Sequence, residues 1–138
     1  MTAAREGALL DQIQCVVTSF GYRHGPAPKA TVVLDVRGLL HDSNLEPELA
    51  ELDGHDVRIK HRVLATPGVF ALIDHTVLLV QGVLTEAPGA VVDVAVGCAG
   101  GRHRSVVLSE RIAKALEQYG VVVELEHRDV HRPVLPSR

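Results

Sequence analysis

Aromatic residues are scarce in this 138-residue chain: tryptophan is absent, and aromatic side chains make up 3% of the residues. A core without large rings has to be packed from Val, Leu and Ala, and Val is a residue that buried parallel strands favour. The hydrophobic fraction of 46% and the charged fraction of 22% are ordinary for a globular protein and argue against disorder. The composition therefore predicts one α/β core, because the chain is too short for two.

Cysteines and targeting segments are also few. Cys15 and Cys98 are the two cysteines, so at most one disulfide can form, and the N-terminus lacks the basic, apolar and small-residue regions of a secretory leader. We find no apolar run near the roughly 20 residues needed to cross a bilayer. These absences predict a cytoplasmic protein with no membrane partner.

The chain has no strong excess of charge, since its formal net charge is −3 with eight histidines counted as neutral. A general attraction to nucleic acid is therefore not expected, and an anion site has to be built from locally clustered cations. The histidines outside such clusters show no metal-ligand spacing with one another; they are His41, His55, His61, His75 and His131. We accordingly predict no metal site and no cofactor.

Short β-branched runs predict four buried strands, at residues 14–18, 31–36, 91–97 and 121–125. Each of the first three leads into glycine-containing or polar turns, and residues 19–26 are predicted to be a loop. The third strand, a helix and the fourth strand form a βαβ unit, which is right-handed and parallel. We expect an α/β fold: a single three-layer domain with a mainly parallel central sheet and helices on both faces.

Apolar residues at helical spacing predict the helices. One is expected to begin at Thr66, as its N-cap, and to end before Pro88; another is capped by Ser105 and ends at Gly120. A shorter helix is expected over residues 57–64, and the acidic stretch 38–56 is expected to be irregular. The predicted organisation is an N-terminal tail or short helix (1–13), the α/β domain (14–130) and a C-terminal tail (131–138).

Charged side chains follow every predicted strand. In an open parallel sheet the strands end at a common edge, and ligands bind beyond that edge. The side chains expected there are Arg23 and His24 after the first strand, Asp35 and Arg37 after the second, Arg102, His103 and Arg104 after the third, and His127 and Arg128 after the last. An acidic protein with cations gathered at one edge is suited to a compact anion.

The loop after the third strand carries the strongest signal for an anion site. Gly100 and Gly101 let the backbone approach a ligand, and the helix that follows directs its first amides and a partial positive charge outward. Phosphate fits such a helix N-terminus. The residues predicted to contact it are Cys98, Ala99, Gly100, Gly101, Arg102, His103, Arg104 and Ser105. The alternative is a tight strand-to-helix turn with solvated arginines.

The spacing of Cys98, five residues, Arg104 and then Ser105 resembles the phosphate loop of cysteine-dependent protein tyrosine phosphatases. That resemblance implies a Cys98 nucleophile, an Arg104 clamp and an acid such as Asp35 or Asp42. Gly97 stands where that family usually has histidine. The alternative role of Cys98 is that of a small buried packing residue.

A longer resemblance covers most of the chain after residue 14. Its pieces occur in order: residues 18–25 (TSFGYRHG), 34–37 (LDVR), 97–106 (GCAGGRHRSV) and 127–129 (HRD). They resemble the C-terminal domain of the RNase adapter protein RapZ, which implies binding of an amino-sugar phosphate and small regulatory RNA, and oligomerisation. Because no Walker A loop occurs, the resemblance implies a free-standing domain and does not extend to ATP binding.

The residues that match this family, and that the resemblance marks as ligand contacts, are Asp35, Arg37, Gly100, Gly101, His103 and Arg104. Residues 38–44 and 86–89 depart from the family pattern, which leaves the sugar specificity open. We expect a non-catalytic module for a phosphorylated small molecule, with RNA as a second ligand and a homo-oligomeric state. Further anion contacts are expected from Arg23, His24, His127 and Arg128. The alternative to such a binding module is a small cysteine-dependent phosphatase.

Overall fold

The computed structural model describes residues 12–38 and 47–135. The predicted N-terminal tail, His41 and Asp42 lie outside these residues, apart from residues 12 and 13 of the tail. The described strands are β1 (Cys15–Gly21), β2 (Val32–Asp35), β3 (Val92–Cys98) and β4 (Val123–His127). The described helices are α1 (Pro47–Ala50), α2 (Val57–Leu64), α3 (Val69–Glu86) and α4 (Arg104–Gln118), and a short 3₁₀ turn covers Tyr22–His24.

The four strands form one sheet in the order β2-β3-β1-β4, and every neighbouring pair is parallel. The predicted parallel α/β domain is therefore confirmed. Register places Gly21 beside Cys98 and Asp35 beside Gly97, so the strands end together. We call this end of the sheet the carboxyl edge. β1 runs on to Gly21, which corrects the predicted loop at residues 19–21, because pairing with β3 continues that far.

One face of the sheet packs against the long helices. Alternate strand residues such as Val17 and Val94 share a single buried cluster with Ile59 of α2, Ile73 of α3 and Ile112 of α4. The connections from β2 to β3 and from β3 to β4 run in the same direction across the sheet, so right-handed crossovers place their helices on the same face. Among the described residues, the β1-to-β2 connection crosses the opposite face of the sheet.

Both predicted N-caps are corrected by the structure. Thr66 donates its hydroxyl to the Arg62 carbonyl at 3.2 Å, beyond the end of α2, while α3 is preceded by Gly68 at φ +90°. Ser105 lies inside α4, which is preceded by His103 without a side-chain cap hydrogen bond. The acidic stretch also differs in part from the irregular segment expected, since its described residues include α1.

Helix α3 is 18 residues long with a mean hydropathy of 1.4, enough to span a membrane by length and composition alone. The prediction that no apolar segment is long enough to cross a bilayer was wrong on this point. The helix contributes Val69, Ile73, Val77 and Val80 to the buried core. About 28% of the helix is buried, and Leu78 and Leu79 on its outer side are exposed.

Candidate anion-binding site at the carboxyl edge

The backbone at the end of β1 is in close contact with the loop that follows β3. A Cβ on Gly21 would lie 2.3 Å from the carbonyl carbon of Gly100, and a Cβ on Gly101 would lie 2.5 Å from the Gly21 nitrogen. Gly101 also has φ +73°, which side-chain-bearing residues rarely adopt. Glycine at both positions is therefore what lets the two backbone segments touch.

Gly100 faces outward from the same loop. A Cβ added there would meet nothing within 4 Å, so the space above it is open. The loop leads into α4, whose N-terminus has neither a side-chain cap hydrogen bond nor an acidic residue in its first turn. An uncapped helix N-terminus carries partial positive charge, so this opening is suited to an anion.

Cys98 closes the inner side of the loop. Its sulfur accepts a hydrogen bond from the Gly101 amide at 3.2 Å and lies 3.1 Å from the Ser105 hydroxyl, and the residue is 2% exposed. The sulfur is thus buried and engaged by two neighbours from its own loop. The observed role is to hold the loop, and the phosphatase alternative finds no support in this arrangement.

Asp35 and Arg37 lie at the end of β2 as an exposed, bidentate ion pair. Arg37 donates from Nη2 to Asp35 Oδ2 at 2.7 Å and from Nε to Oδ1 at 2.9 Å, and its guanidinium stacks 3.6 Å from the Tyr22 ring centre. The hydrogen bond from Arg37 is the main cause that lowers the pKa of Asp35. At neutral pH Asp35 is thus an acceptor for hydroxyl or ammonium groups.

Arg104, in the first turn of α4, reaches towards the same place. Its Nη1 lies 3.4 Å from the Arg37 carbonyl, and the Val36 amide donates to the Gly97 carbonyl at 2.9 Å. These contacts bring the ends of β2 and β3 together. The structure therefore places Arg37 and Arg104 next to each other at the carboxyl edge, at the start of the helix that follows the glycine loop.

Arg102 and His103 point the other way, towards the segment after α1. Arg102 donates to the carbonyls of Leu52 and Arg132, both at 3.1 Å, and also to that of Glu51. His103 Nε2 lies 2.7 Å from the Leu52 carbonyl. Both side chains were predicted as ligand contacts, and the structure shows them tying the loop to neighbouring backbone.

Arg128 holds the turn after β1. Its guanidinium donates to the Pro26 carbonyl at 2.6 Å and to Asp129 at 3.0 Å, with the carbonyls of Gly21 and Gly25 at 3.3 Å. Through these hydrogen bonds Arg128 stabilises the backbone of the carboxyl edge, and it also adds positive charge there.

The remaining predicted contacts divide in two. The Arg23 amide donates to the Ala99 carbonyl at 3.0 Å, so Arg23 and the adjacent His24 lie beside the loop. His127 instead faces the core side, where Nδ1 lies 2.6 Å from the Ser19 hydroxyl. The sequence reasoning missed Tyr22 and Asp129, whose partners on other strands no local pattern reveals.

The fold and the loop together define a parallel α/β domain with a glycine loop at a helix N-terminus. The model of the RapZ C-terminal domain family matches residues 13–131, and the chain belongs to that family. The resemblance seen in the sequence is thereby confirmed.

Full-length relatives agree with this assignment. The chain is 41% identical over 122 residues to a nucleotide-binding protein of Corynebacterium jeikeium, covering 84% of this chain and 40% of that protein. A nucleotide-binding protein of Thermobifida fusca is 40% identical over 125 residues, covering 88% of this chain and 42% of its own. One from Streptomyces coelicolor is 35% identical over 136 residues, covering 96% and 45%. The chain thus spans less than half the length of these relatives.

Proposed function

We propose that this chain is a non-catalytic module that binds a phosphorylated small molecule, such as an amino-sugar phosphate, at the glycine loop. The observation that carries the proposal is the open space above Gly100 at the uncapped N-terminus of α4. A phosphate there accepts hydrogen bonds from backbone N–H groups, and the partial positive charge at the helix N-terminus stabilises its negative charge.

Two arginines supply charge at the carboxyl edge. Arg104 is in the first turn of α4, and Arg37 is kept oriented by Asp35 and by stacking on Tyr22. Guanidinium groups bind phosphate oxygens in a bidentate manner, which fixes the ligand's orientation as well as its charge. Asp35, with a lowered pKa, accepts from a sugar hydroxyl or amine. The site therefore combines a phosphate pocket with an acceptor for the rest of the ligand.

The names of the relatives fit a phosphate-bearing ligand, since the proteins of Corynebacterium and Thermobifida are called nucleotide-binding. Those proteins are more than twice as long as the matched region, so their nucleotide need not bind here. Nucleotides therefore belong in the ligand panel beside sugar phosphates.

The test is a thermal-shift panel of sugar phosphates, the matching unphosphorylated sugars and nucleotides. A ligand that binds the native state alone raises the melting temperature. We expect a phosphorylated sugar to raise it in the wild type, with a much smaller rise in Arg104→Ala. Arg111→Ala, a change to an exposed arginine farther along α4, serves as the control and keeps the full response. No shift with any phosphorylated compound would refute the proposal.

RNA is the second ligand we propose at this edge, and the exposed side chains of Arg23 and Arg37 favour it. Since aromatic residues are few, contacts would go to phosphates and weaken steeply with salt. Filter binding with single-stranded RNA tests this, and no retention at low salt would remove RNA from the proposal. The homo-oligomeric state likewise stays a prediction, to be measured by light scattering coupled to size exclusion.

A further inference from the structure

We propose a binding site for a first-row divalent cation, Zn²⁺ in particular, formed by His55, Glu110 and His127. These residues come from the loop before α2, from α4 and from the end of β4, and their ligand atoms lie within 4.8 Å of one another. The site is on the helix-covered side of the sheet and uses none of the glycine-loop residues, although the Gly54 amide beside His55 donates to the Arg102 carbonyl at 2.8 Å. The proposal does not depend on the phosphate ligand.

The distances between the ligand atoms are close to those found around a bound metal ion. Nε2 of His55 lies 2.9 Å from Glu110 Oε1, and Nε2 of His127 lies 3.4 Å from the same oxygen. Tetrahedral Zn²⁺ bonds nitrogen and oxygen at about 2.0–2.2 Å, which puts neighbouring ligand atoms about 3.3 Å apart. The His127 distance matches this spacing, and the His55 side chain, which is 47% exposed, is free on its outer side to adjust to it.

The Nδ1 atom of each imidazole contacts a neighbouring side chain, and this contact orients the ring. Nδ1 of His55 lies 3.1 Å from Asp53 Oδ1, and Nδ1 of His127 lies 2.6 Å from the Ser19 hydroxyl. When these Nδ1 atoms donate their protons, each Nε2 carries a lone pair that faces the Glu110 carboxylate. Metal-binding histidines are held by outer hydrogen bonds of this kind.

In this tautomer three acceptors face one another, and a cation between them would bind all three. Nε2 of His127 is buried and makes no hydrogen bond within residues 12–38 and 47–135, although buried polar atoms normally have a partner. The nearest charges are those of Asp53, Glu110 and Lys60, whose Nζ lies 3.8 Å from Glu110 Oε2. Their sum is one negative charge, which favours a divalent cation.

Two histidines and one carboxylate are borderline donors that suit Zn²⁺ and neighbouring transition metals rather than Mg²⁺ or Ca²⁺. Three protein ligands leave a fourth position for water or another ligand. The spacing along the chain hid the site, since 55 residues separate His55 from Glu110 and a further 17 separate Glu110 from His127.

The test is calorimetric titration of ZnCl₂ into the full chain, free of any affinity tag and stripped with a chelator. We expect about one Zn²⁺ per chain in the wild type and at least about tenfold weaker binding in His55→Ala and in Glu110→Gln. Asp53→Asn, which weakens the outer hydrogen bond of His55 and removes one nearby negative charge, is expected to weaken binding by about 10–100-fold. Substitution with Co²⁺ should give the visible spectrum of a four-coordinate site.

His75→Ala is the matched control, because His75 is exposed on α3 and, within residues 12–38 and 47–135, bonds to the Ala71 carbonyl of its own helix at 2.7 Å. It should bind Zn²⁺ as the wild type does. If His127→Ala fails to fold, the more exposed His55 and Glu110 variants still decide the question. No Zn²⁺ binding by the wild type, or equal binding by His55→Ala, would overturn the proposal and leave an ion-paired network.

Discussion

At the scale of single residues, Asp129 shows how the carboxyl edge is held. Its side chain is 1% exposed, and Oδ2 accepts from the Gly21 amide at 2.8 Å and from Arg128 Nε at 3.0 Å. Arg132 Nε lies 3.0 Å from the other oxygen. One buried carboxylate thus fixes the end of β1, the end of β4 and the turn after it.

Replacing Asp129 with Ala is expected to lower the free energy of unfolding by about 3–5 kcal/mol, because it leaves buried donors and a cation without their partner. Chemical denaturation measures the loss. Glu126→Ala, an exposed carboxylate on β4, is the control and should change stability by less than about 0.5 kcal/mol. A loss of similar size in both variants would show that Asp129 has no special role.

The same carboxylate predicts how stability depends on pH. Burial raises the pKa of Asp129, but Arg128 and the Gly21 amide lower it further, so the net pKa is below the ordinary 3.8. A depressed pKa contributes stability above about pH 4, and that contribution is lost as pH falls through the folded-state pKa. Denaturation curves from pH 6 downward should show this decline, and Asp129→Asn should show a shallower one.

Gly100 gives the most direct test of the anion site. Because its Cβ position is open, Gly100→Asp is expected to fold normally while placing a negative charge where the phosphate would sit. Sugar-phosphate binding should fall by at least about tenfold, which is about 1.4 kcal/mol. Gly82→Asp, at an equally open position on α3, is the control; unchanged binding in Gly100→Asp would place the ligand elsewhere.

At the scale of elements, the crossing of β1 over the glycine loop is a close backbone contact. Gly101→Ala is expected to destabilise the fold by more than about 1–2 kcal/mol, since the left-handed conformation alone costs that much and the new Cβ lies 2.5 Å from the Gly21 nitrogen. Gly21→Ala meets the Gly100 carbonyl and should also destabilise. Gly100→Ala should be nearly neutral, and equal melting temperatures in all three variants would contradict the packing described.

Much of the element order was predictable, because strands and helices leave periodic patterns in sequence. Runs of Val marked all four strands, and the glycine loop was expected to follow β3, as it does. The caps were not predictable: Ser105 turned inward to Cys98, where a buried sulfur offered a partner. Local sequence shows a hydroxyl near a helix start, but not which tertiary partner it takes.

The site was predictable only to the level of which residues lie at the carboxyl edge. The roles of Arg102 and Arg128 depend on backbone carbonyls of distant segments, such as Leu52 and Pro26, which spacing along the chain does not show. The cluster of His55 and His127 was hidden for the same reason. Parallel topology predicts the edge at which side chains lie, whereas their partners follow from the fold.

At the scale of the whole molecule, a net charge of −3 contrasts with the basic carboxyl edge. If RNA binds there, the logarithm of affinity should fall linearly with the logarithm of salt, by about 0.7 per phosphate contacted on a single strand. Arg23→Ala and Arg37→Ala should each reduce that slope by about 0.7. Filter binding over a salt series measures it, and a slope unchanged in both variants would exclude these arginines as RNA contacts.

The central position of β1 beside β4 has a consequence for how the protein is made. Among the described strands β1 is synthesised first and β4 last, and the Gly21 amide and the Pro26 carbonyl pair with Asp129 and Arg128. A nascent chain that has not yet emerged as far as residue 129 therefore lacks the hydrogen bonds that hold the turn after β1. The carboxyl edge is therefore held in place only after residues 128 and 129 have been made.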